Sequence, residues 1–337
     1  MKKILLFLAC FLLLAALACN WLSVPRTEAP AGPPAFIPPT EGLPPVTQPE
    51  QAATSTPLPA VTATIPPAFT PTPLPVPSSV TAPAEAATLA PPLNTGSPYA
   101  VILVAQNDSL NVRQAAGTSS TVVEQLPAQA TGIHLTGREA AMDGDRWVEI
   151  QRSGGGTGWV NAIYLAEYVS PQTFCADQRV TALIDDLDSA LSASDGEKLS
   201  ALVSPAHGLN LHYLRAGTVA NYSPAEARFV FTSEYVANWG IHPGSGMDVK
   251  GTFHGEVLPT LLDLFNASYE MHCSDIVTGG TTYITSWPYE YRNINFYSLV
   301  KPGSPGVELD WRTWLAGVEY VDGKPYLFAL MHFFWEP

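Results

Sequence analysis

The chain has 337 residues with seven histidines and four cysteines, and these side chains are the first place to look for chemistry. His134 stands alone in a strand-like run and implies no metal. The other six are His207, His212, His242, His254, His272 and His332, with Asp248, Glu256 and Asp310 as the acidic residues of interest. His207 and His212 are five residues apart, which does not set two ligands on one helical face. His254-Gly255-Glu256 has no Pro-Cys-x-x-Cys to complete a water-activating zinc site. There is no His-Glu-x-x-His, no Gly-x-Ser-x-Gly and no phosphate-binding glycine loop, and Gly244-Ser245-Gly246 reads as a turn. One constellation remains: a pocket lined by His332, Tyr235, Trp239 and Asp310 could do acid–base work on a small ligand. The simpler reading of His332 is a hydrogen-bonded core histidine. No metal and no cofactor are expected.

What must position these residues begins after a long prelude. Met1-Lys2-Lys3 is a short cationic start, and Ile4–Ala18 is an apolar run of fifteen residues. That is short for a membrane span of about 20 residues and suits the core of an export signal. The run ends Ala16-Leu17-Ala18-Cys19, which resembles the lipobox of bacterial lipoproteins, with Leu one step later than usual. The resemblance implies cleavage after residue 18, lipidation at Cys19 and a membrane anchor facing the extracellular or periplasmic side. Plain cleavage or an uncleaved anchor are the alternatives. With Cys10 removed and Cys19 acylated, Cys175 and Cys273 form an even pair in an exported protein. A disulfide is expected there. The rival, a nucleophilic thiol, has no Cys-x-x-Cys or other nucleophile motif to support it.

Residues 25–98 hold 21 of the 32 prolines and only five charges. Residues 19–98 therefore read as a Pro/Thr-rich tether without a core, biased to extended polyproline II. Folded material is expected over about 99–168 and 173–337. The net charge is −14, from 16 basic and 30 acidic residues, which argues against a nucleic-acid partner.

Between 99 and 168 short alternating runs are separated by turn residues: Val101 and Leu103, Leu110–Arg113, Thr121–Pro127, Thr131–Gly137, Arg146–Ile150 and Gly158–Val160. This pattern predicts a small β-barrel. Leu110-Asn111-Val112-Arg113, Gly117-Thr118, Val123–Leu126, Gly132, Trp147 and Gly158-Trp159-Val160 are similar in order and spacing to the bacterial SH3-like (SH3b) domain. Gln114-Ala115-Ala116 departs from the family's usual loop. The resemblance implies a non-catalytic module that binds cell-wall peptides or proteins, with Arg113, Trp147 and Trp159 as candidate contacts. Arg113 would meet Asp108 or a ligand carboxylate, or serve as a structural arginine. The module carries 4 basic and 7 acidic residues, which disfavours an anionic wall polymer.

Over 173–337 the reading is α+β: helices first, then an antiparallel meander. Val180, Leu183, Ile184, Leu187, Ala190 and Leu191 give a helical stripe with Asp177 as N-cap. Asp195 starts a second helix. Ser223-Pro224-Ala225-Glu226 has the form of a capping box, although 228–231 look more like strand. His254–Phe265 predicts another helix. Strands are expected over 281–287, 294–300, 311–320 and 326–335, with a hairpin turn at 321–324. The order is similar to a cystatin-like or nuclear-transport-factor-like cone, and the sequence around Trp239-Gly240, Gly244-Ser245-Gly246, Asp310-Trp311-Arg312 and the last strand resembles an uncharacterised domain of bacterial surface lipoproteins. Along the last strand Tyr326, Phe328, Leu330, His332 and Phe334 should share one face, and Leu327, Ala329, Met331, Phe333 and Trp335 the other. Both faces are apolar and need cover, from the helices on one side and from a homodimer partner, a pocket or the first module on the other. The leading expectation is thus an exported, lipid-anchored surface protein that binds wall peptide or an extracellular protein. The alternative is a small-molecule hydrolase or isomerase with its site in the cone.

Overall fold

The computed structural model describes residues 93–337; the expected signal segment, Cys19 and the tether up to residue 92 lie outside the described residues. The first module is built from β1 (Tyr99–Val101), β2 (Ser109–Arg113), β3 (Val122–Pro127), β4 (Leu135–Met142), β5 (Asp145–Gln151), β6 (Thr157–Asn161) and β7 (Leu165–Glu167). Five of these form one sheet in the order β3-β2-β6-β5-β4, and β1 pairs antiparallel with β7. Period-two alternation sends Leu110, Val112, Val148, Ile150 and Val160 into a single core. β4 starts later than expected and runs on to Met142, because Asp143 (φ 59°) and Gly144 (φ 86°) supply the two left-handed residues of a tight hairpin into β5.

The second module opens with α1 (Pro171–Ala176), α2 (Gln178–Ala193) and α3 (Gly196–Leu202). The Asp177 carboxylate accepts from the Arg179 N–H at the start of α2, and all six residues of the expected stripe are buried. The Asp195 side chain caps α3 in the same way, accepting from the Lys198 N–H. β8 (Leu209–His212) and β9 (Val219–Tyr222) follow, then α4 (Pro224–Ala227), where Ser223 and Glu226 form a complete capping box. Residues 228–231 are turns instead of strand. The N–H groups of Phe229 and Val230 bond back to the carbonyls of Glu226 and Ala227, which leaves none for a sheet ladder. β10 (Ala237–Ile241) and β11 (Asp248–Gly251) make a separate hairpin. A π-helical turn, Phe253–Val257, leads into α5 (Leu258–Phe265), where one straight helix was expected.

The main sheet is completed by β12 (Glu270–Cys273), β13 (Asn295–Lys301), β14 (Arg312–Val321) and β15 (Lys324–Phe334). Its order is β12-β13-β14-β15-β8-β9. The antiparallel meander is therefore only part of the sheet: β15 also pairs in parallel with β8, which brings in an earlier hairpin. Residues 281–287 form no strand. Gly279 lies against the Trp311 ring and Gly280 has φ +99°, so the chain leaves the ladder there. Its aromatic side chains lie on the sheet instead, with Trp287 4.7 Å from Phe296 and Tyr283 6.4 Å from Phe333, ring centre to ring centre.

The faces of β15 also differ from simple alternation. Gly317 pairs with Ala329 and Val318 with Leu327, so Phe328 is the extra residue of a β-bulge. The bulge turns Leu327 inward with Leu330, toward α2 and α5, and places Phe328 outward. Two covers share the outer face. Trp287, Tyr283 and Ile276 pack over Leu315, Met331 and Phe333. Ile102 and Ala166 of the barrel pack over Phe328, Ala329, Tyr291 and Ile294. Hydrogen bonds reinforce this seam: Leu103 N–H to the Glu290 carbonyl (2.8 Å), Asn293 Nδ2 to the Val101 carbonyl (2.7 Å) and Asn295 Nδ2 to the Val169 carbonyl (2.8 Å).

Gly317 sits where this packing is tightest. A Cβ there would lie 2.7 Å from Trp287 Cη2 and 3.3 Å from Ala329 Cβ. Gly317→Ala is expected to cost about 1–3 kcal/mol through overpacking. Urea unfolding of the variant beside the native chain reads this directly, and an unchanged midpoint would show that the Trp287 cover yields freely.

Candidate functional site

Three places are candidate sites: the outer face of the barrel sheet, the open end of the second module, and the seam. On the barrel, cross-strand register aligns Arg113 of β2 with Trp159 of β6, and Trp159 with Glu149 of β5. Register partners share a face, so the three form a row. Trp159 is half-buried, and the Arg138 guanidinium lies 5.4 Å from its ring. Arg138 also donates to Glu149 at 2.8 Å, and the hydroxyls of Thr136 (2.7 Å) and Thr157 (3.0 Å) donate to the same carboxylate. Arg113 Nη1 donates to the Ser120 carbonyl at 2.7 Å, which fastens the 114–120 loop. Asp108 accepts from the Ser109 N–H and is not the partner of Arg113 in these bonds. Trp147 is 3% exposed and donates from Nε1 to the Met142 carbonyl, so its ring is covered and not offered to a ligand. The row can offer an aromatic ring and guanidinium groups to an extended peptide, while Glu149, 4% exposed and held by three donors, anchors Arg138 from beneath.

At the open end of the second module lies a largely apolar cavity of about 710 Å3. It is lined by Tyr222, Phe229, Tyr235, Trp239 and Phe253 among others. Tyr235 is exposed, whereas Trp239 is buried, donates to the Gly251 carbonyl at 3.1 Å and packs edge-on against Tyr213.

The expected acid–base foursome is not assembled here. Of the four, Tyr235 and Trp239 line this cavity and His332 and Asp310 do not. His332 is stacked between Trp314 (4.5 Å) and Tyr213 (5.7 Å) in the core. Burial, then the nearby Arg312 guanidinium, pushes its pKa down to about 3, so the ring is neutral. Nδ1 then donates to the Tyr213 carbonyl and Nε2 faces Arg312, which occupies both nitrogens. Asp310 holds a loop: it accepts from the Ser304 N–H (2.6 Å) and hydroxyl (2.7 Å), and these bonds hold its carboxyl below the usual range. Sequence alternation put His332 on a face but could not show that the rings of Trp314, Tyr213 and Phe334 stack around it.

The other histidines are dispersed. His212 Nε2 meets the Tyr291 hydroxyl at 3.2 Å, and burial pushes its pKa down to about 4. His242 Nδ1 accepts from the Gly244 N–H, His272 lies 3.2 Å from Glu270, and His254 is exposed on the π-helical turn. Among the described residues no cluster of three or more metal-type ligands occurs. Cys175 of α1 and Cys273 of β12 form a disulfide, with Cα atoms 5.8 Å apart.

The seam holds a pair that sequence reasoning missed. His207 Nδ1 lies 2.7 Å from Glu319 Oε2, and Nε2 lies 3.1 Å from the Ile163 carbonyl of the barrel. Burial pushes the imidazole down, but the carboxylate and the carbonyl outweigh it and hold its pKa above the ordinary value. With acceptors at both nitrogens, the charged ring fits as a donor on both sides. The two residues are 112 apart in sequence, and no local pattern links them.

Residues 108–170 match the family model for the bacterial SH3 domain. Neither the curated proteins nor the solved structures contain a match to the chain.

Proposed function

We propose that the chain is an exported, lipid-anchored surface protein whose SH3 barrel binds cell-wall peptide. The observation that carries this reading is the bacterial SH3 domain at 108–170, a family match that suggests a cell-wall or peptide-binding module. Arg113 and Trp159, with Arg138 over the indole, supply a surface suited to a peptide backbone and its carboxylate. The acidic balance of the module favours a peptide over an anionic polymer. Lipid anchoring at Cys19 and export rest on the sequence of residues 1–19. In the second module, the sheet order with β8 parallel to β15, and helices α2 and α5 on its inner face, support a nuclear-transport-factor-like cone. Its apolar cavity is suited to a ligand or a protein segment more than to polar catalysis, because the polar candidates His332 and Asp310 lie elsewhere.

Retention on purified, protein-free cell-wall sacculi tests the reading. The native chain should co-sediment with them, and Trp159→Ala should weaken retention by about tenfold or more, as loss of a central aromatic contact does. Retention only on extracellular proteins would move the partner class from wall peptide to protein. No retention on either would remove the binding reading.

A further inference from the structure

The cavity at the open end of the second module has walls that a ligand can reach. β9 is an edge strand of the six-stranded sheet, and β10 belongs to a separate hairpin. Their backbones meet at one end, where a Cβ on Gly240 would lie 2.5 Å from Gly217 Cα. Such an approach requires glycine. Beyond it no ladder joins the two strands, and the cavity of about 710 Å3 opens with both as walls. That volume falls within the ~300–1,000 Å3 of small-molecule sites. Trp239 and Phe253 line it from the buried side. Tyr222 is half-buried, while Phe229 and Tyr235 are 59% and 73% exposed. Single exposed apolar side chains mean little, but aromatic rings gathered around one cavity mark a binding surface.

The charge in this lining has one sign. Among the described residues that line the cavity, none is Lys, Arg or His, and Glu226 alone carries a charge. Ser223 donates to Glu226 Oε2 from its hydroxyl (2.7 Å) and its N–H (2.8 Å). These bonds hold the carboxyl below its usual range, so it is an anion at neutral pH. Oε1 makes no hydrogen bond, and the residue is exposed, so this oxygen is open to a ligand. The Tyr222 hydroxyl makes no hydrogen bond either, and unlike that of Tyr99 it is not sealed from solvent. Burial, then the Tyr235 hydroxyl and the Glu226 charge, push its pKa up to about 12, so both neighbours lie close enough to act on it. The cations just outside are already paired, Arg228 with Glu197 at 3.0 Å and Lys250 with Asp248 at 2.8 Å. Glu234, beside Tyr235 in the chain, adds negative charge. Aromatic faces attract cations, most strongly where water is displaced. A compact primary ammonium is strongly hydrated and gives up much on entering an apolar space. An alkylated ammonium spreads its charge over methyl groups and gives up less.

We propose that this cavity binds an organic cation of the alkylated-ammonium class on an apolar body, with Tyr222, Phe229 and Tyr235 as aromatic faces and Glu226 as counter-charge. The assignment rests on the reading of the cavity as a ligand site and uses no residue of the barrel. Calorimetric titration of the full chain at neutral pH tests it with three phenols of similar size. They are para-hydroxyphenyl-trimethylammonium, its uncharged isostere para-tert-butylphenol, and the anion para-hydroxybenzenesulfonate. The cation should bind saturably and about tenfold or more tighter than the isostere, and the anion should not bind. Glu226→Gln keeps the Ser-x-x-Gln form of the capping box, so the fold is retained. It should weaken the cation by about two- to fivefold, the range for an exposed ion pair, and leave the isostere unchanged. Tyr235 makes no hydrogen bond from its side chain and is exposed, so Tyr235→Leu also folds. It should weaken the cation by about two- to thirtyfold and narrow its lead over the isostere. Saturable binding of cation and isostere with equal affinity would overturn the cation assignment and leave an apolar ligand site. A cation preference that neither variant alters would put the binding elsewhere and overturn the site. No saturable binding of any of the three would overturn both the proposal and the ligand reading of the cavity.

Discussion

Replacing His207 with Ala should lower the unfolding free energy by about 3–5 kcal/mol, the range for breaking one side of a buried ion pair. His207 and Glu319 have side chains 4% and 0% exposed, so solvent does little to screen them. Without the imidazole, the Glu319 carboxylate keeps its burial and loses the partner of Oε2, while Oε1 has none to begin with. The Ile163 carbonyl loses its contact across the seam as well. The pair also carries a pH signature. In the folded chain the imidazole holds its proton more tightly than an unfolded histidine, whose pKa is about 6.5. Its contribution is therefore fully present below about pH 6.5 and is lost as pH rises through the elevated folded value. Urea unfolding across pH 6 to 9 should show native stability falling with pH from this source, and the His207→Ala chain should lack that component. A loss under about 1 kcal/mol with an unchanged pH profile would mean that the pair does not hold the seam.

Cys175→Ser with Cys273→Ser should cost about 4–5 kcal/mol, the chain-entropy value for a loop near 100 residues. The bond spans 98 residues and ties α1 to the edge strand β12. Around it, Phe174 packs 5.3 Å from Tyr297, whose hydroxyl donates to the Cys175 carbonyl. Unfolding with and without reductant isolates the effect. The native midpoint should fall in reductant to that of the double-serine chain, and the double-serine midpoint should not move. Identical midpoints in all four conditions would show that the bond does not constrain the unfolded chain.

What could be read from sequence and what could not divides by range. The α2 stripe, its Asp177 cap, the Ser223/Glu226 box and the turn at 321–324 are written within one or two turns of chain, and local hydrogen bonding enforces them. The barrel was legible because Leu110–Arg113 and Gly158–Val160 fix both the alternation and a family pattern. Residues 281–287 have strand composition but serve as a cover, since aromatic side chains stabilise a sheet from above as readily as from within it. The Phe328 bulge moves two residues to opposite faces through one extra position, which no composition marks. The parallel pairing of β8 with β15, the seam and His207–Glu319 depend on contacts more than 100 residues apart in sequence. Of the candidate site, the ring of Trp159 and the neighbouring Arg113 came from pattern. Glu149 came only from cross-strand register, and Arg138 only from its ion pair with Glu149 and its place over the indole.

The central claim is that the outer face of the barrel is the binding surface and that the stacked His332 has no catalytic task. Nitrogen-15 chemical-shift mapping of the folded chain during titration with a soluble wall peptide tests both halves at once. Saturable shifts are expected at Arg113, Arg138, Glu149 and Trp159, with Tyr213, Trp314 and His332 unmoved and the peptide recovered intact. Shifts centred on Trp314 and His332, or turnover of the peptide, would contradict it.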